Sequence, residues 1–159
     1  MTRSSTKREW RKCALQVNPY SYSGAYNSGQ DHALEEDDYN EALLQACVDN
    51  EIELIALTDH GCIEGFEKIR ELFEAEGIVV LPGFEFTTSE KVHLICLFPE
   101  DTPAGTIKNY LFDLAGTDSI GNDVAPKTSG VTLIEKVDAW GGLTYAAHCH
   151  EDNGVLHHR

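Results

Sequence analysis

The stretch "LIALTDHGCIEGF", residues 54 to 66, decides how the chain is read. Four apolar residues and a threonine make a buried strand, which then ends on an acid–imidazole pair, Asp59-His60, with Gly61 next. A carboxylate and an imidazole are costly to bury without partners. Either they cap a turn or they face a shared site, and the segments on either side bear on which.

Outward from this stretch the pattern alternates. "CALQV" (13–17) is a short apolar run, ended by "NPYSYSG" and a polar loop to about Gln30. "EEDDYNEALLQACVDN" (35–50) has Tyr39, Leu43, Ala46 and Cys47 on one helical face, and its leading acids suit a helix N-terminus. "IELIALT" (52–58) is the second strand, and "IEGFEKIRELFEAEG" (63–77) is a helix with Phe66, Ile69, Leu72 and Phe73 inward and Gly77 as its stop. "IVVLPGFEFT" (78–87) and "VHLICLF" (92–98) are further strands. "TPAGTIKNYLFDLAG" (102–116) and "GVTLIEKVDAWGG" (130–142) read as helices, and "LTYAAHCHED" (143–152) as a last strand and its exit. Strands that are apolar throughout and alternate with helices predict an α/β fold with a buried parallel sheet.

In such folds the functional groups gather at the C-terminal ends of the strands. The second strand exits into Asp59-His60, the strand at 78–84 into Glu85, and the strand at 143–147 into His148-Cys149-His150, while His93 sits within a fourth apolar run. Singly, each has an ordinary structural reading: Asp59 as a helix cap, Glu85 as a surface residue, His93 as a core histidine, and His148/His150 as a chance alternation. Together, imidazole and carboxylate donors arriving from four strands predict a centre for a divalent metal ion, zinc, manganese or iron. Such an ion lowers the pKa of bound water and polarises a phosphoryl oxygen.

Composition limits the alternatives. The 159 residues suit one domain, and 27 acids against 12 bases give a net charge of −15. That field repels a nucleic-acid backbone along its length. Five of the twelve bases, Arg3, Lys7, Arg8, Arg11 and Lys12, crowd into residues 1–12, read as a basic, flexible lead before a domain at 13–159. No window reaches the ~18 to 20 apolar residues of a membrane span, and the N-terminus has no signal-peptide core. Five scattered cysteines (13, 47, 62, 96 and 149) read as reduced thiols, hence a cytoplasmic protein.

"LIALTDHGCIEGFEKIRE", "VVLPGFEFTTSEKVHLICLF" and "LTYAAHCHED", in this order, resemble the polymerase-and-histidinol-phosphatase (PHP) superfamily, and "REWRK" (8–12) resembles the lead of PHP modules fused to AAA or SMC-like ATPases. The resemblance implies a distorted (β/α)7 TIM-like barrel, two or three metal ions in its open mouth, and hydrolysis of a phosphoester; for this chain one to three ions are expected, with one site best supported. By position, Glu85 matches a carboxylate that bridges two ions, His93 and His148 the imidazoles of one of those sites, His60 a ligand of a further ion, and Asp59 the acid that sets the loop. Catalytic roles then fall to Asp59, His60 and Glu85. His150 is a weaker ligand candidate.

The chain departs from that pattern twice. Gln16 and Asn18 stand where an HxH pair ends the first strand, and carboxamides are poorer, uncharged donors for zinc. The C-terminal Asp-x-His pair is not reached by Arg159, so a barrel of five or six strands, incomplete at its C-terminus, is expected. Two functions follow. One is a phosphoesterase that uses metal-activated water to hydrolyse a phosphoester of a nucleotide or other phosphorylated small molecule, or of a nucleic-acid end. The other is a non-catalytic module serving an ATPase domain or subunit.

Overall fold

The computed structural model describes residues 10–21, 34–116, 127–151 and 153–156. Most of the basic lead, much of the polar loop after the first strand, and His157 and His158 lie outside these residues.

Among the described residues nine elements follow one another: β1 (Cys13–Val17), α1 (Glu36–Asp49), β2 (Leu54–Leu57), α2 (Phe66–Glu74), β3 (Val79–Thr87), β4 (His93–Leu97), α3 (Ala104–Ala115), α4 (Gly130–Ala139) and β5 (Leu143–Ala146). The helix ends are set by local signals. Glu36, Asp37 and Asp38 fill the first turn of α1, Ser129 caps α4 by accepting from the Thr132 amide, and Gly116 closes α3 in the left-handed region. Helix α2 buries Phe66, Ile69 and Phe73 as its 3.6-residue spacing requires. It starts after Gly65, so Asp59 is not its cap.

The strands form one sheet in the order β1-β2-β3-β4-β5. Strands β1, β2 and β3 are parallel, whereas β4 is antiparallel to both β3 and β5. The all-parallel expectation therefore fails at β4. Only Thr88–Val92 separate β3 from β4, far fewer residues than a parallel crossover needs. The Thr88 amide donates to the Val92 carbonyl, and Lys91 takes a positive φ of 63° to close this hairpin.

The expected (β/α)7 barrel is likewise not what forms. The described residues make a half-barrel of five strands with four helices. Its curl is recorded in one bond. The Tyr145 hydroxyl on β5 donates to the Leu15 carbonyl on β1 at 2.6 Å, although these strands are the two edges of the sheet. In a flat sheet at about 4.8 Å per strand the edges would stand far beyond a tyrosine's reach.

Alternation along the strands divides the core in two. Ile55, Leu57, Val80, Phe84, Phe86, Leu94 and Cys96 belong to the large cluster that also holds the buried helix residues Phe66, Ile69, Phe73, Ile107, Leu111, Leu133 and Val137. Ala56, Leu81, Ile95, Leu97, Tyr145 and Ala147 form a smaller cluster on the other, inner side. Leu81, Gly83 and Glu85 alternate onto that inner side, as do Ile95 and His93. The hydrophobic pattern of the sheet thus aims Glu85 and His93 into the concavity.

Candidate metal centre

Glu85 does not lie at a strand exit, as the sequence suggests, but inside β3, paired with Ile95 of the hairpin. The loop after β2 is bound to it from both sides. The Glu85 amide donates to the Asp59 carbonyl at 2.8 Å, and the Gly61 amide donates to the Glu85 carbonyl at 2.7 Å. This isolated parallel bridge holds His60 opposite Glu85, and Gly61 (φ 55°) supplies the turn that follows.

Three imidazoles surround one oxygen of the Glu85 carboxylate. Oε1 stands 2.6 Å from His93 Nδ1, 3.2 Å from His60 Nε2 and 3.7 Å from His148 Nε2. His93 Nδ1 and His148 Nε2 are 3.1 Å apart. The Glu85 side chain is 2% exposed, and those of His60 and His93 are 17% and 14%. His148 is more open at 29%, and its backbone sits at φ 23°, a strained value for a residue with a Cβ. Burial alone would raise the Glu85 carboxyl, but the close approach and charge of His60 and His93 outweigh it and hold the group at about 2.

These residues fit a divalent cation. Despite its close neighbours, the buried Oε1 accepts no well-aligned hydrogen bond. Glu85, His60 and His93 crowd a common point, each bringing a ligand atom within 4.8 Å of the others. An ion with bonds of about 2.0 to 2.1 Å in tetrahedral array sets its ligand atoms about 3.3 Å apart, close to the spacings here.

The remaining candidates separate. Asp59 is buried but turns away from the imidazoles. Its Oδ1 accepts from the His60 amide at 2.7 Å and its Oδ2 from the Ser21 hydroxyl at 3.0 Å. Burial raises its carboxyl, and these two bonds pull the other way. Gln16 reaches the centre, donating from Nε2 to Glu85 Oε2 at 2.8 Å. Asn18 engages through its backbone, whose carbonyl accepts from the Tyr39 hydroxyl. His150 is not among the three residues, His60, Glu85 and His93, whose ligand atoms crowd together. The extended segment that would align it with His148 is instead a turn, in which the Glu151 amide donates to the His148 carbonyl.

Two contributors escape the sequence reading. Ser21 lies in a stretch that reads as loop, and its bond to Asp59 spans 38 positions. Tyr145 faces the concavity, and its phenol is pushed up to about 12 by burial and by the Glu85 charge. Its period-two spacing from Ala147 was the available signal.

Fold and centre together define a half-barrel with a His/Glu cluster suited to a metal ion in its concavity. Among solved structures, the chain is similar to a protein of Bifidobacterium adolescentis that carries the provisional name metal-dependent phosphoesterase. The two share 14% identity and a TM-score of 0.56 over 91% of this chain and 69% of the other, a likeness of fold. No protein-family model matches the chain, and no curated protein matches it. Among the described residues no helix is long and apolar enough to cross a membrane.

Proposed function

We propose that the chain is a metal-dependent phosphoesterase of PHP type, its domain spanning residues 13–159. The carrying observation is the buried Glu85 Oε1 with ring nitrogens of His60, His93 and His148 around it. A buried carboxylate ringed by imidazoles suits a divalent cation, whose chemistry is to activate water and stabilise charge on a phosphoryl group. The name given to the Bifidobacterium protein and the PHP-like motifs favour phosphoesters over other bonds.

The chain's own groups then have separate tasks. Glu85, His60 and His93 would hold the ion, and His148, the most exposed of the three imidazoles, would stand on its open side. Asp59 fixes the loop that carries His60 through the bond to that residue's amide. The net charge of −15 disfavours a long polyanion. A small phosphorylated molecule or a nucleic-acid end is the substrate class that fits. A tie to an ATPase rests on the "REWRK" stretch alone.

A second reading, a metal-binding module without turnover, draws support from Gln16, which donates to Glu85 Oε2 and stands where the PHP resemblance leads one to expect an imidazole ligand. Elemental analysis of purified protein, beside assays of phosphomonoester and phosphodiester hydrolysis with added Mn²⁺ or Zn²⁺, separates the two. Turnover that depends on the ion and is lost in His93→Ala is the expected result. Bound metal without turnover favours the module, and protein that takes up no metal refutes both.

A further inference from the structure

The two oxygens of Glu85 have different surroundings. Oε1 faces the imidazoles, and Oε2 accepts from the side-chain amide of Gln16 at 2.8 Å. Gln16 lies on β1, two strands away from β3 in the sheet order. Its side chain reaches across the intervening β2 to Glu85.

An ionised carboxylate only accepts hydrogen bonds, so the group Gln16 presents must be its NH2 and not its carbonyl. An amide NH2 donates and offers a cation no lone pair. A carboxylate bridges two ions by giving one oxygen to each, and here the second oxygen is already engaged. Asp59 is no substitute, since its oxygens accept from Ser21 and from the His60 amide. Among the described residues, His60, Glu85 and His93 are the one group of potential ligands close enough to share an ion.

The geometry points to a centre for a single ion, in which Gln16 is a positioning residue that fixes Glu85 and fills the place where a second cation would meet Oε2. This rests on the metal-centre reading above. It also accounts for glutamine at position 16: a neutral donor there satisfies a buried carboxylate oxygen that would otherwise lack a partner. Carboxylates and carbonyls that hold a metal ligand in place typically change affinity by about 10- to 100-fold when removed. An amide that holds a carboxylate ligand acts in the same way.

The test is titration of metal-stripped wild type and Gln16→Met with Zn²⁺ by calorimetry, with stoichiometry checked by elemental analysis after gel filtration. Methionine nearly matches the shape of glutamine and removes the donor. Wild type should bind one ion per chain. Gln16→Met should also bind one, about tenfold or more weakly, and its Co²⁺ form should show an altered visible spectrum; the variant should stay folded with a modestly lowered melting temperature, since Oε2 loses its donor. Two ions per wild-type chain, read without any variant, overturn the inference and leave the metal-centre reading standing. So does a folded Gln16→Met of unchanged affinity and spectrum. No ion in wild type overturns both.

Discussion

Tyr145 and Leu15, 130 positions apart, are joined across the mouth of the half-barrel by a 2.6 Å hydrogen bond from the phenol to the backbone carbonyl. The bond links the first strand to the last and so maintains the curl that brings Gln16 within reach of Glu85. Tyr145→Phe should lower stability by about 1 kcal/mol, the usual net worth of such a bond. Urea unfolding is the measurement, and the midpoint should fall with an unchanged slope. An unmoved midpoint would mean that packing alone sets the curl.

Gly83 tests the tightness of the sheet beside the centre. A Cβ there would lie 2.6 Å from the Cys96 carbonyl oxygen and 2.8 Å from Leu97 Cδ2, so backbone would have to move. Gly83→Ala should cost roughly 2 kcal/mol or more, as overpacking of a rigid core does. Gly105, in α3, has open space where a Cβ would stand, with nothing within 4 Å. Gly105→Ala should therefore be neutral or stabilising by up to about 1 kcal/mol. Thermal melts of the two variants should diverge in sign or nearly so.

Glu85 predicts an acid limb in the metal-free protein. Its folded carboxyl sits at about 2 against a usual 4.5, so the folded state holds its proton less tightly than the unfolded state does. The resulting stabilisation is complete above pH 4.5 and is lost as the pH falls towards 2. It amounts to roughly 3 kcal/mol. Wild type and Glu85→Gln should therefore converge in stability across that window. Parallel pH profiles for the two proteins would show that the imidazoles do not hold the carboxylate.

Asp59 and His60 should part company on substitution. His60→Ala removes a ring nitrogen 3.2 Å from Glu85 Oε1 and should cut metal affinity by about 100-fold or more with a small change in melting temperature. Asp59→Asn should be mild, because the amide keeps an acceptor for the His60 backbone and the Ser21 hydroxyl can accept from its NH2. Asp59→Ala removes both partners and should lower stability by about 1 to 3 kcal/mol. A His60→Ala protein that melts far lower yet keeps its metal would make His60 a core residue.

Much of this molecule is written locally. The spacing of Phe66, Ile69 and Phe73 gives α2 its buried face, and the acids at 36–38 place the start of α1. The arrival of Asp59-His60 after an apolar strand, with Glu85, His93 and His148 in later ones, was enough to nominate a centre. The hairpin at Thr88–Val92 was legible as well, since so short a link cannot carry a parallel crossover. Weighing that length against the apolar runs on either side would have placed β4 correctly.

The amino-acid sequence by itself determined which segments become strands and helices and which side chains are available as ligands, because periodicity, capping and donor chemistry act over a few residues. Only the tertiary structure decided that Gln16 donates to Glu85, that Asp59 turns to Ser21 while His60 faces the carboxylate, that the chain turns at His148 instead of staying extended, and that five strands curl into a half-barrel. Those outcomes depend on strand register, twist and the turn after β5, which arise from pairing between segments tens of residues apart and leave no mark on any single stretch.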